Sequence, residues 1–251
     1  MQNFRTLLLK ELRSFFVSPL AYVVLALVMV LNGVSFLFSV ERMEGKVSQM
    51  SLLHLTFDSL WFWMVFVLLF PLITMRLFAE ERKLGTLETL MTAPVQSWTV
   101  ILAKYTATLI FYVILWTPSA LNLLLFESIS GSAAAFTAGS FWGTYTMLFM
   151  VGGFNIALGI FASALTANQL IAGVLAFAFV TLHFFIGFVQ GFAGNMPAEV
   201  LDRVTYFSTV EHLRYFSNGL IDTRPLIYYV TGSALFLTFT YYVLEYRRWR
   251  P

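Results

Sequence analysis

The chain has 251 residues, of which 59% are hydrophobic, 18% aromatic and only 11% charged. Soluble domains carry about 25% charged residues, so this composition excludes a water-solvated globule and makes lipid the solvent. A net charge of +2 with no basic tail or stripe gives no footing for nucleic acid, and the lack of cysteine excludes disulfides, thiolate metal sites and a cysteine nucleophile.

Residues 3–18 read as an amphipathic helix. Phe4, Leu7, Leu8, Leu12, Phe15 and Phe16 recur at helical spacing, while Arg5, Lys10, Arg13 and Ser14 lie largely off that face. Pro19 then breaks the chain before the first long apolar run. A basic amphipathic helix beside a bilayer lies in the interface with its apolar face down. Phe4, Leu8 and Phe15 are thus expected to face lipid, with Lys10 and Arg13 at the headgroups; the plainer alternative is a positively charged flank.

Stretches free of Asp, Glu, Lys and Arg cover 14–40, 59–75, 105–126, 128–198 and 225–244. The first is longer than the roughly 7–15 apolar residues of a signal peptide and has no small-x-small site after it, so it reads as a retained span. The fourth would be on the order of 100 Å long as one helix, far thicker than a bilayer, and must fold back. The polar run from Ser163 to Gln169 is the natural turn. The fold class is therefore an all-α integral membrane protein with six transmembrane helices, near 20–40, 59–78, 99–126, 138–162, 168–190 and 226–246. Residues 1–251 form a single domain.

Lys and Arg set the orientation. With the N-terminus inside, Arg5, Lys10, Arg13, Arg76, Arg82, Lys83, Lys104, Arg247, Arg248 and Arg250 fall inside, against Arg42, Lys46, Arg203, Arg214 and Arg224 outside. Both termini are expected in the cytoplasm.

The inner segment 76–104 carries the most information. The second span is expected to run on into a charged extension holding Glu80, Glu81 and Arg82, which Gly85 ends in a left-handed conformation. Thr86 can cap a short second helix, Glu88 suits the positive end of its dipole, and Pro94 stops it. Leu87, Leu90 and Met91 share one side of it. An apolar stripe with a charged rim fits a partner's groove, and fits equally a loop whose leucines touch the membrane.

The outer segment 191–224 holds Gly191, Gly194 and Pro197, with Val204, Phe207, Val210, Leu213 and Phe216 half-buried in expectation. It reads as one or two short helices, either a lid over an exit or a loop on the span ends. Glycines at 139, 143, 152, 153 and 159 let helices approach closely. Asn122, Asn155 and His183 sit at membrane depth and need hydrogen-bond partners.

The chain has no Gly-x-x-x-x-Gly-Lys-Ser/Thr phosphate loop, no serine-protease motif and no metal-spaced cluster. The span centres hold no charge, which weakens an ion-coupled carrier. Any driving energy is expected to enter from outside the bilayer.

The run EERKLGTLETLMTAP resembles the cytoplasmic signature of the ABC type-2 permease family. The opening KELRSFFVSPLAYVV resembles that family's N-terminus, and HLRYFSNGLIDTRPLIYYV with the terminal YRRW is similar to its gliding-motility-associated and multidrug or ion-export branches. The resemblance implies six spans per subunit and pairing with a second permease subunit, as homodimer or heterodimer. It also implies an inner-face N-terminal helix and a re-entrant pair of short helices before the last span. A coupling helix would dock on a separate ATP-binding subunit, which would bind ATP and magnesium. The chain itself would hold no cofactor and would be no enzyme. Carried over position by position, the coupling element is Glu80, Glu81, Arg82, Gly85, Thr86, Leu87, Glu88, Leu90 and Pro94. The expected function is the permease subunit of an ATP-driven exporter in a cell's inner membrane. The alternatives are an uncoupled channel or secondary carrier, and a non-transporting scaffold of a motility or secretion machine.

Overall fold

The computed structural model describes residues 2–43, 51–92, 95–130, 136–186, 199 and 206–249. Its ordered elements are all helices. α1 (Gln2–Val17) stops at Ser18, and α2 (Pro19–Met43) opens on a proline, whose fixed φ suits the first helical position. Three short elements start on hydroxyl caps: α3 (Leu52–Phe57) on Ser51, α4 (Leu60–Thr74) on Ser59, and, further along, the helix at 209 on Ser208. α5 (Ala79–Lys83) and α6 (Thr86–Thr92) follow α4, and α7 (Ser97–Ser130) returns across the bundle. α8 (Ala138–Leu165) begins with a reciprocal capping box between Thr137 and Ser140. α9 (Gln169–Ile186), α10 (Thr209–Ser217) and α11 (Thr223–Trp249) complete the chain.

Six helical stretches are long and apolar enough to cross a membrane: Pro19–Met43, Leu60–Lys83, Ser97–Ser130, Ala138–Leu165, Gln169–Ile186 and Thr223–Arg247. The chain is a multi-pass membrane protein. Each stretch coincides with an expected span. The third helix overruns its expected end because helix geometry tolerates Glu127 beyond the apolar run. The expected turn at 163–169 is present, with Asn168 Oδ1 accepting from the Leu170 N–H at 2.9 Å to start α9. The fifth span's last expected residues lie outside those described, as do Gly191, Gly194, Pro197 and Val204.

α8 is the central element. Its residues from Val151 to Ile160 are buried without a break. Small residues make this possible. A Cβ added at Gly152 would overlap the Tyr112 ring of α7, and one at Gly159 would overlap Thr74 of α4. The outer helices are much barer: their most apolar windows are 28% buried in α2, 22% in α9 and 17% in α11, against 78% in α8. Asn155 does not bridge helices, because its Nδ2 donates to Val151 O at 2.9 Å within α8 and its buried Oδ1 has no partner. Asn122 is exposed on α7.

α1, α5, the start of α7 and the ends of α8 and α11 lie at one end of the bundle, tied by the bonds described below. α3, α10 and the start of α8 lie at the other, where Gly219 packs against Ser140.

Candidate functional site

The end that carries α1 and α5 concentrates the charge. α4 contains Pro71 and ends at Thr74, and four turn residues, Met75–Phe78, lead into α5. Ser163, near the end of α8, holds that turn. Its hydroxyl accepts from the Phe78 and Ala79 N–H groups at 3.0 and 3.1 Å and donates to Met75 O at 3.1 Å. The orphan N–H groups of α5 are thus satisfied from another helix.

Four side chains from three helices form an alternating cluster. Lys104 of α7 reaches Glu11 of α1 at 2.9 Å and Glu81 of α5 at 3.0 Å. Lys10 of α1 reaches the same two carboxylates, at 2.8 Å to Glu81 and 3.3 Å to Glu11. Lys104 is 1% exposed and also lies over the Phe78 ring, 5.3 Å from its centroid. A buried lysine is tolerable only when paired in this way. Partial burial pulls the Lys10 amine down, but the hydrogen bonds and charges of Glu81 and Glu11 outweigh it and hold its pKa above the ordinary lysine value.

Two arginines clasp the C-terminus of α8. Arg82 donates to Ala164 O at 3.3 Å, and Arg247 of α11 donates to Leu165 O at 2.8 Å. Cations there complement the helix dipole and satisfy its last carbonyls.

Beyond the cluster, the chain turns at Gly85, whose φ of +71° is the left-handed conformation the sequence demanded. Thr86 is the first residue of α6, not its cap. Its hydroxyl donates back to Glu81 O at 3.2 Å, because that carbonyl lies within reach across the turn. Leu84, Gly85, Thr86 and Glu88 form an exposed tip, with Leu84 67% exposed. Leu87 is turned inward at 7% exposure, and Leu90 packs half-buried on the same core. Leu87 and Leu90, whose side of α6 was open to a partner's groove or to the membrane, pack on this chain's own core, and Leu84 is the outward apolar residue. The Met91 side chain and Pro94 lie outside the described residues.

α1 also differs from the expectation. Phe15 is buried and stacks on Phe111 of α7 at 4.8 Å, and Leu7, Leu8 and Leu12 pack on the same core. Part of its apolar face is laid on protein, while Leu9, Phe16 and Val17 stay exposed. Phe4 is half-buried, and Lys10 and Arg13 are exposed, as a polar outer face requires.

The structure thus joins Glu81 to Lys10 and brings Arg82 onto α8, with Glu80 half-buried beside them. Glu11, Lys104, Ser163 and Arg247 were not singled out as site residues. Lys104 had a signal: it was the one cation several residues inside an expected span, where a charge needs a named partner.

At the opposite end, a buried polar chain links α9, α10 and α11. His183 Nε2 lies 3.4 Å from Thr209 Oγ1, Tyr229 OH donates to Thr209 at 3.2 Å, and His212 Nδ1 lies 3.0 Å from Tyr229 OH. His183 therefore has the interhelical bond expected of it. Burial lowers the His212 pKa to about 4, against a smaller opposing pull from the Tyr206 backbone and Asp222. No pocket for a metal emerges: among the described residues, no three His, Asp or Glu side chains cluster as ligands.

Against known proteins, a family model described as ABC-2 family transporter protein matches residues 9–192, well over half of the chain. No curated protein matches it.

Proposed function

The chain belongs to the ABC-2 family of transporter proteins, and from that premise we propose that it couples a separate ATP-binding subunit to the export of a substrate. In this reading the chain is a permease component, and ATP and magnesium sit on the partner. A second permease subunit completes the translocation path. The end bearing α1 and α5 faces the cytoplasm of an inner membrane, as the excess of Lys and Arg there favours.

The observation that carries the reading is the connection of the exposed tip to the bundle. Leu84, Gly85, Thr86 and Glu88 are free for a partner. Just before the tip, Glu81 is bonded to α1 and α7, and Arg82 to α8. A push on the tip therefore acts on three other helices through short charged contacts. Such contacts transmit displacement because they have discrete partners, unlike a flexible loop.

Replacing Leu84 by Asp and Glu88 by Lys together tests this. Both residues are exposed, so insertion and folding should persist. The expected result is loss of the ATP-binding subunit on co-purification in mild detergent, with the permease still monodisperse. An intact complex from the double variant would overturn the assignment of the tip.

A further inference from the structure

A cavity of about 630 Å³ opens between α1, the start of α2, the turn from α4 to α5, and α7. Its lining includes three cations, Lys10, Arg76 and Lys104, and three carboxylates, Glu11, Glu80 and Glu81. Four of these six form the cluster described above. The other two are left over. Arg76 donates to the Ser18 hydroxyl at 2.8 Å and meets no carboxylate among the described residues. The Glu80 carboxylate meets no cation there either. The two lie one helical turn apart, with the Glu80 N–H on Arg76 O at 3.3 Å, yet their side chains do not pair. Beside Glu80, the Oε2 of Glu81 is buried with no hydrogen-bond partner.

An occupant that fits must bring an anion to Arg76 and N–H donors to Glu80. The balanced lining disfavours any ligand with net charge, because electrostatic complementarity is met by a zwitterion. Val17, Pro19, Ile73 and Leu77 line the same cavity at the start of α2 and the end of α4, so the occupant also has an apolar part running toward the spans. The order of charges fixes its direction: Arg76 lies nearer the spanning part of α4, and Glu80 one turn further out.

We propose that this cavity binds the headgroup of a zwitterionic aminophospholipid, with its phosphate on Arg76 and its primary ammonium on the two carboxylate oxygens of Glu80. A quaternary ammonium has no N–H to offer these oxygens, so the site selects the primary amine. Binding requires no ATP-binding subunit and stands independently of the coupling reading.

The test uses the purified full chain in detergent, without an ATPase, titrated with phosphatidylethanolamine, phosphatidylcholine, phosphatidylglycerol and soluble phosphoethanolamine. Native mass spectrometry reads the bound fraction. Phosphatidylethanolamine is expected to bind about tenfold more tightly than the other two lipids, the scale of one charge-assisted hydrogen bond. Glu80→Gln should erase that preference, and Arg76→Gln should weaken the ethanolamine and choline lipids alike. Equal binding of all three lipids, tighter binding of phosphatidylglycerol, or an unchanged preference in Glu80→Gln would overturn the proposal. Phosphoethanolamine matching the intact lipid would assign the site to a soluble zwitterion and overturn the lipid reading. Should Arg76→Gln fail to fold, the Glu80→Gln comparison still decides, since Glu80 is half-buried and holds no other side chain.

Discussion

Lys104→Met isolates the cost of the charged cluster. Methionine fills similar volume on α7 but removes the cation that Glu11 and Glu81 share at 2.9 and 3.0 Å. The cluster then changes from two cations and two carboxylates to one cation and two carboxylates. The remaining cation, Lys10, has a side chain 55% exposed and well hydrated, so it compensates poorly. Breaking a buried ion pair by removing one partner costs about 3–5 kcal/mol, because the other charge stays buried. Adding Glu81→Gln restores one cation to one carboxylate. The double variant should therefore be more stable than the sum of the single losses, with a coupling of at least ~1 kcal/mol. Stability is read by unfolding the detergent-solubilised chain in mixed micelles of rising SDS fraction, with tryptophan fluorescence as the probe. A Lys104→Met variant within about 0.5 kcal/mol of the parent, a change typical of surface sites, would refute the reasoning. So would strict additivity.

Gly159→Ala should destabilise the fold by about 1–3 kcal/mol, since the new methyl meets Thr74 across the α4–α8 contact; the same unfolding assay checks it. Gly85→Ala meets no atom within 4 Å, so its cost should come from the left-handed backbone alone, about 1–2 kcal/mol, and should leave the α4–α8 contact intact. The His212 pKa of about 4 in the fold lies below its ordinary value of 6.5. Between those values the unfolded chain binds more protons, so stability rises with pH in that window and is lost as pH falls from 6.5 toward 4. Protection factors at 209–217, with the pH dependence of intrinsic amide exchange divided out, are expected to drop over that fall, and His212→Asn should flatten the dependence.

The features legible in advance were those with a local cause. A 71-residue run without Asp, Glu, Lys or Arg must fold back, and the polar residues Ser163–Gln169 near its middle mark the place. Gly85 follows a charged helical run and is the residue that can turn it. What escaped was long-range. Glu11 and Lys104 are 93 positions apart, and nothing in either neighbourhood names the other. The direction of Leu87 is of the same kind. Periodicity shows that Leu87 and Leu90 share a side of α6, but whether that side meets this chain's core or another molecule depends on where the turn before α5 aims the helix. Ser163 sets that aim from α8, 85 residues from Phe78.

The unbroken burial of α8 bears on how this protein can change shape. A helix enclosed along Val151–Ile160 has no low-energy alternative seating: a quarter-turn either way would drive Thr74 against Leu158 or Ile160 in place of Gly159. The helices around it keep broad apolar faces that adapt to any hydrocarbon surface. Movement is therefore easiest as the peripheral helices slipping around a stationary axle. Tolerance to substitution should follow the same division, strict along the axle and permissive on the rim.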